Sequence, residues 1–424
     1  MVKTSFWALA CLCLVSARVD ASAESLSEAL SIAAAGLMGN GIAVTDPSYG
    51  DGERYLLVAG PNQFKSLWAR DFSMATAGAL SIGMEREVHD SLDSLFSFQR
   101  GDGLMPRMVD NRGIDSRVIL GLAGFHVPLK APVKGWFKTE NGVIAIDSNL
   151  VVPWAASEYI LKTMDLDFAR KWYHSAQRSL QFLTDGGFMV NGLVGNQPPF
   201  SDWEDSVRRG GRVAMTNVYY VLALRGMAAW AALVGEAGDA LDYVLLADST
   251  NRKFRDYFWR DDLGMLSNFE GDDRLTADAN LMAVAHHLLS REDSLAVMAA
   301  LRNSPLWRPM PGRPTWPDYP RSYKSFNVKL SGIASYHDSM TWLWITALAA
   351  DAERAVGDCE AYHAILESLA DLVVKYGAVH EVYDLKPAGL VPVKRLLYRA
   401  ERPFTWSSAM FIEAAQGGCP QTER

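Results

Sequence analysis

The sequence predicts an all-α fold in one domain, a closed (α/α)6 toroid of six inner and six outer helices spanning residues 24–424. Three observations lead there. Apolar residues recur with helical periodicity from the mature N-terminus to the end. These runs number about a dozen, the count for a double ring. Short loops bearing Gly, Asp or Pro separate them and no strong linker interrupts them, which suits consecutive helical hairpins.

Taken in order, residues 1–23 read as an export signal: basic Lys3, an apolar run from Phe6 to Val15, and Ala21-Ser22-Ala23 as the small-x-small cleavage site. Ala8-Leu9-Ala10-Cys11 resembles a lipoprotein cleavage site, but the apolar run before it is too short, so simple cleavage near Ala23 is the expectation. The protein is therefore expected in a periplasm or outside the cell, without stable membrane insertion. Ser25–Met38, Phe72–Ile82, Glu85–Gln99, Asn149–Met164, Asp167–Leu183 and Val213–Val234 carry amphipathic or largely buried helical patterns. So do Ala240–Phe258, Ala277–Leu289, Glu292–Leu301, His337–Ala355, Glu360–Lys375 and Phe404–Ala415. Strand-like runs are few: Arg54–Ala59, Gly142–Ile146 and Leu390–Leu397. The Pro-rich segment Ser304–Ser322 reads as an irregular loop of the kind that covers a site.

Composition narrows the function. A formal charge of −8 argues against a nucleic-acid partner. Thirteen tryptophans, several beside acids or arginines, suit a carbohydrate, whose C–H faces rest on aromatic rings while its hydroxyls seek polar groups. There is no phosphate-binding loop, dinucleotide fingerprint or His-Glu-x-x-His, so neither cofactor nor metal is expected. Cys359 and Cys419 follow the signal and could form one disulfide in an oxidising compartment. Oligomeric state is left open.

Two segments stand out. Ser201-Asp202-Trp203-Glu204-Asp205-Ser206 and Val379-His380-Glu381-Val382-Tyr383-Asp384 each place carboxylates beside an aromatic ring between helical runs. Glycoside hydrolysis needs two such groups, one acid for the leaving oxygen and one base or nucleophile at the anomeric carbon. Crowded carboxylates repel, which raises the proton affinity of a partly buried one toward that of a general acid. Ser66-Leu67-Trp68-Ala69-Arg70-Asp71-Phe72 offers a stacking face and a charge-paired carboxylate, or an N-cap with a structural ion pair. Tyr336-His337-Asp338 with Trp342, and Glu401-Arg402-Pro403-Phe404-Thr405-Trp406, complete the set.

In this order, these segments resemble the six-hairpin glycosidases, in particular alkaline/neutral invertases and the glucosidase domain of glycogen-debranching enzymes, with glucoamylases and trehalases more distant. Trp68-Ala69-Arg70-Asp71 is similar to their Trp-x-Arg-Asp segment, and Gly101-Asp102-Gly103-Leu104-Met105-Pro106 to the invertase Gly-x-Gly-Leu-Met-Pro loop. Asp205 stands where debranching enzymes place the general acid, with Asn217 in the helix that follows. Glu381 matches the second catalytic carboxylate and Thr405-Trp406-Ser407 the closing Trp-Ser helix. Asp338 stands in place of the usual Asn, and the pattern of glucoamylases and trehalases would select Glu204 as the acid.

The resemblance implies an inverting glycoside hydrolase. Asp205, or Glu204, would protonate the glycosidic oxygen while Glu381 activates a water. Arg70 and Asp71 would hold sugar hydroxyls, Trp68, Trp203 and Trp406 would shape the pocket, and His337, Asn217 and Glu401 would support substrate binding. The expected substrate is an α-glucoside of small or medium size, an oligosaccharide or a debranching-type substrate, cleaved from its non-reducing end. A β-fructofuranoside, a non-catalytic sugar-binding toroid and a polysaccharide lyase using Tyr336 and His337 are the alternatives.

Overall fold

The computed structural model describes residues 24–46, 52–113, 116–117, 120 and 127–419. The signal segment at 1–23 lies outside the described residues.

Six inner helices close a ring. They are Ala69–Ser81, Ser148–Thr163, Ala214–Val234, Asp278–Ala285, Leu343–Val356 and Thr405–Gln416, numbered one to six here, each packed on the next, with the sixth against the first. Glu85–Ser97, Leu166–Asp185, Ala237–Phe258, Arg291–Arg302 and Cys359–Tyr376 each follow an inner helix as its outer partner. The sixth outer helix, residues 24–39, comes from the other end of the chain. Just after it, Asn40 Nδ2 donates to Pro403 O (3.1 Å) and Thr405 Oγ1 (2.9 Å), so the N-terminal helix completes the last hairpin.

Sequence explains which helix goes where. Outer helices have one apolar face: Leu166–Asp185 buries Phe168, Tyr173, Leu180 and Leu183 and exposes the acids, lysines and arginines between them. Inner helix three is apolar almost all round, and nearly every residue from Ala214 to Leu224 is buried. It is long and apolar enough to span a bilayer, yet here it packs between inner helices two and four. Inner helices one and six approach until the backbones touch: a Cβ on Gly78 would sit 2.1 Å from Ala409 O.

The two sets also start differently. The outer helices at Leu166, Arg291 and Cys359 are capped by Asp165, Ser290 and Asp358, each accepting a backbone N–H at 3.0 Å. None of the six inner helices has a side-chain N-cap. Helices one and five instead continue two-residue strands, Leu67–Trp68 and Thr341–Trp342, which pair with Met108–Asp110 and Val382–Lys386. Small antiparallel sheets and loops thus gather at the N-terminal end of the inner ring. Cys359 and Cys419 form a disulfide that ties the end of the described chain to the start of the fifth outer helix, Cys359–Tyr376.

Most helices fall within a few residues of expectation; three features differ. The helix expected at His337 begins at Leu343, because 341–342 pair as a strand. The one expected through Leu289 stops at Ala285, shortly before His287 takes a left-handed φ of 53°. Gly142–Ile146 is not a strand; only an isolated bridge between Lys138 and Ile144 remains.

Candidate active site

A cavity of about 190 Å³ opens at the N-terminal end of the inner ring. Inner helix one brings Arg70 and Asp71 and the strand before it Trp68, the strand before helix five brings Trp342, and helix six brings Trp406, with Phe404 just ahead of it. Asp205 and Glu381 both line it, from loops that precede inner helix three and the strand at Val382.

Asp205 is held by arginines. Arg107 Nη2 donates to its Oδ2 at 2.9 Å and Arg70 Nη1 at 3.4 Å, while Asn141 Nδ2 fixes its backbone carbonyl at 2.9 Å. Both guanidiniums have further anchors: Arg70 Nε on Asp147 (2.6 Å), and Arg107 in a two-pronged pair with Glu140 (2.7 and 2.9 Å) and over the Trp68 ring at 4.7 Å. Asp71 stands nearby, and burial pushes its carboxyl up to about 7 against the pull of Arg70. Trp68 Nε1 and Arg70 Nη2 are buried donors on cavity-lining residues with no acceptor among the described residues, which leaves them for a ligand oxygen.

Glu381 is held by hydroxyls. Tyr336 OH donates to Oε1, Tyr398 OH to Oε2 at 2.5 Å, and the backbone N–H of Glu401 to Oε2 at 3.1 Å. Burial raises its carboxyl to about 8; the phenols pull the other way and the neighbouring Glu401 adds to the rise. His337 is neutral in this setting, since burial and then the positive charges of Arg209, Arg70 and Lys324 drive its proton affinity well down. Its Nδ1 lies 2.6 Å from Ser206 Oγ.

Tryptophans floor the cavity. Trp203 meets His337, Trp342, Trp344 and Trp406 edge to face, with centroids 5.0–6.3 Å apart, and Trp344 stacks on Trp406 at 4.6 Å. Trp203 Nε1 donates to Asp278 at 2.5 Å, which fixes the ring.

Of the residues singled out in the sequence, Asp205, Glu381, Trp68, Arg70, Asp71, Trp203, His337 and Trp406 meet around this cavity. Three do not face it. Glu204, weighed as an alternative acid, is fully buried behind the cavity, where Tyr319 OH (2.8 Å) and Arg209 Nη1 (3.2 Å) hold it. Its neighbours Trp203, Asp205 and Ser206 line the cavity instead. Asn217 bonds the N–H and carbonyl of Val194 at 2.9 and 3.0 Å and so staples a hairpin to inner helix three. Glu401 accepts from Asn62 Nδ2 (2.6 Å) and the Phe64 N–H (3.1 Å), setting the loop that carries Phe64 to the rim. A Cβ on Gly60 would strike Glu401 Cγ at 2.2 Å, so that loop requires glycine. Sequence reasoning missed Arg107, Glu140 and Tyr398. Arg107 follows Pro106 of the glycine-rich loop directly, which is a usable signal; Tyr398 offers none.

A closed double ring of helices, with two carboxylates facing a tryptophan-floored cavity at the N-terminal end of its inner helices, defines a six-hairpin glycosidase. Within that class, the chain belongs to the family of the mannosylglycerate hydrolase MGH1-like glycoside hydrolase domain, whose model matches residues 64–407. Among solved structures it is similar to a GH63 mannosylglycerate hydrolase from Thermus thermophilus in complex with glucose, at TM-score 0.61 and 13% identity over 91% of this chain and 99% of that one. A glycosidase variant in complex with glucose matches at TM-score 0.60 and 16% identity, covering 94% and 98% of the two chains. A rhamnosidase from Klebsiella oxytoca with rhamnose bound matches at TM-score 0.61 and 15% identity, over 86% of this chain, which spans 60% of the rhamnosidase. No curated protein sequence matches the chain.

Proposed function

We propose that the protein is an exported, inverting glycoside hydrolase that removes a terminal sugar from a small α-glycoside. The observation that carries this is the pair Asp205 and Glu381 on one small aromatic cavity. Asp205 protonates the glycosidic oxygen, and Glu381 takes a proton from the attacking water. Three donors converge on Glu381, two phenols and one amide, which suits a carboxylate that must be ionised to act. Arg70 and Asp71 bind sugar hydroxyls and Trp68 offers a stacking face. A small cavity suits exo-action better than an open groove would. An α-glucoside is the first choice of substrate, and the family's name puts mannosylglycerate beside it. A β-fructofuranoside, or a toroid that binds sugar without cleaving it, stand behind these.

One observation favours exchanged roles. Glu381, pushed up to about 8, retains a proton near neutral pH as a general acid does, and Asp205 has the cationic partners that suit a base. Leaving-group chemistry separates the two assignments. NMR on maltose, trehalose, sucrose, mannosylglycerate and aryl α-glucosides identifies the substrate and the anomer first released. With Asp205 as acid, Asp205→Asn should lose activity on natural substrates and regain much of it on a dinitrophenyl glycoside, which needs no protonation. Glu381→Gln should be inactive on both. The reverse pattern would exchange the roles, and a product of retained configuration would overturn inversion.

A further inference from the structure

A second cavity, of about 220 Å³, lies further along the ring axis. The same inner helices build both. Their first turns supply the front cavity with Asp71, Trp342 and Trp406, and their later turns supply the rear one with Met74, Asp351 and Glu413. Inner helix two adds Trp154 and Glu158. Trp344, stacked on Trp406 and one turn ahead of Leu348, belongs to the layer between them. Nothing in the proposed hydrolysis uses the rear cavity.

Its wall holds three carboxylates, Glu158, Asp351 and Glu413, all half-buried and so reachable from the far end of the ring. Asp351 alone of these pairs with a cation among the described residues, Arg354 Nη2 at 3.0 Å. His286, the other titratable group on the wall, is kept neutral by burial, then by His287 and Arg225, its proton affinity falling to about 4. One guanidinium therefore faces three acids. Burial raises all three, Glu413 to about 8, and Glu158 and Glu413 repel one another. A separate observation points to a ligand. Ser73 lines this cavity, is 1% exposed, and its hydroxyl has no partner among the described residues. The remaining wall is largely apolar, with Met74, Met410, Leu348 and the face of the Trp154 indole, whose N–H is a hydrogen-bond partner of Glu158. A bare metal ion does not suit it: among the described residues no three His, Cys, Asp or Glu side chains group closely enough to hold one.

We infer that the rear cavity binds a small organic ammonium ion, its N–H groups shared among Glu158, Glu413 and Ser73 and its alkyl part against Trp154 and Met410. The ligand adds a second positive charge to that of Arg354, for Glu158 and Glu413, which pair with no cation among the described residues. Because the carboxylates must ionise to pair with it, binding releases protons near neutral pH.

The test uses the mature protein with n-butylammonium chloride as probe, read by thermal shift and by calorimetry at pH 7 in two buffers of different ionisation heat. Saturable stabilisation is expected, with a buffer-dependent heat that reports proton release. Glu158→Gln with Glu413→Gln should weaken binding by about tenfold or more, since an ammonium ion then loses both charged acceptors. Ser73→Ala, a smaller change that leaves the acids in place, should weaken it less and serves if the double variant fails to fold. Absence of saturable binding to the folded parent overturns the proposal. So does equal binding by the folded variants, or equal stabilisation by calcium or sodium chloride.

Discussion

Asp205 and Glu381 face one cavity from opposite electrostatic settings, and the residues that make the difference are largely invisible in the sequence. The carboxylates were legible because each stands beside an aromatic ring in a short segment between apolar runs. Arg107 and Glu140 come from two separate loops and Tyr398 from a short hairpin strand, and only closure of the ring brings them to the cavity. The setting of Glu381 makes its own prediction. With Glu381 as base, kcat/KM should rise with pH through about 8, because the carboxylate must lose its proton first. Tyr398→Phe removes a donor that favours the anion, so the rising limb should move to higher pH by about one unit, with lower turnover at pH 7. A limb that falls with increasing pH near 8, and moves the same way, would assign Glu381 the acid role. An unmoved limb would show that Tyr398 does not govern this carboxylate.

At the scale of elements, periodicity located the helices but not what stops them. The aromatic run Tyr336 to Trp344 continues the helical pattern of Leu343–Val356, yet Thr341 and Trp342 within it pair with Tyr383 and Val382, a partner some forty residues away. Inner helix four ends early through backbone conformation near His287, which no apolar pattern records. Side-chain volume at helix crossings is a different kind of information, and there the sequence is explicit. Gly78 is an unfavourable helix residue placed where inner helices one and six touch. Gly78→Ala should gain intrinsic helix propensity and still destabilise the protein, by about 1–3 kcal/mol, because the new methyl meets Ala409 backbone that cannot step aside. Chemical denaturation measures this. A neutral or stabilising result would mean that the two helices do not pack this closely.

Across the whole molecule, a ring with two cavities on its axis stores carboxyl groups that keep their protons. Glu381 and Glu413 are raised to about 8, Asp71 to about 7, and Glu158 and Glu204 are raised as well, burial being the largest cause each time. In the unfolded chain such groups ionise near pH 4–4.5. Between those values the folded state binds more protons, so these groups stabilise the fold at low pH and lose that contribution as pH rises through their folded values. Histidines work in the opposite sense. His286 and His380 fall to about 4 and His337 is well below its usual value, so each favours the fold increasingly from there up to about 6.5, where unfolded histidine titrates. Below about pH 6.5 the two sets offset one another; above it the carboxyl groups act alone. The melting temperature should therefore fall from about pH 6.5 to pH 8.5, without the plateau expected of an ordinary acidic protein. Glu413→Gln keeps a neutral polar side chain at the rear cavity and cannot ionise, so it should flatten that decline while leaving the front carboxylates untouched. Calorimetric scans across this range decide the matter: a constant or rising melting temperature in the parent would mean that these carboxyl groups are already ionised in the fold.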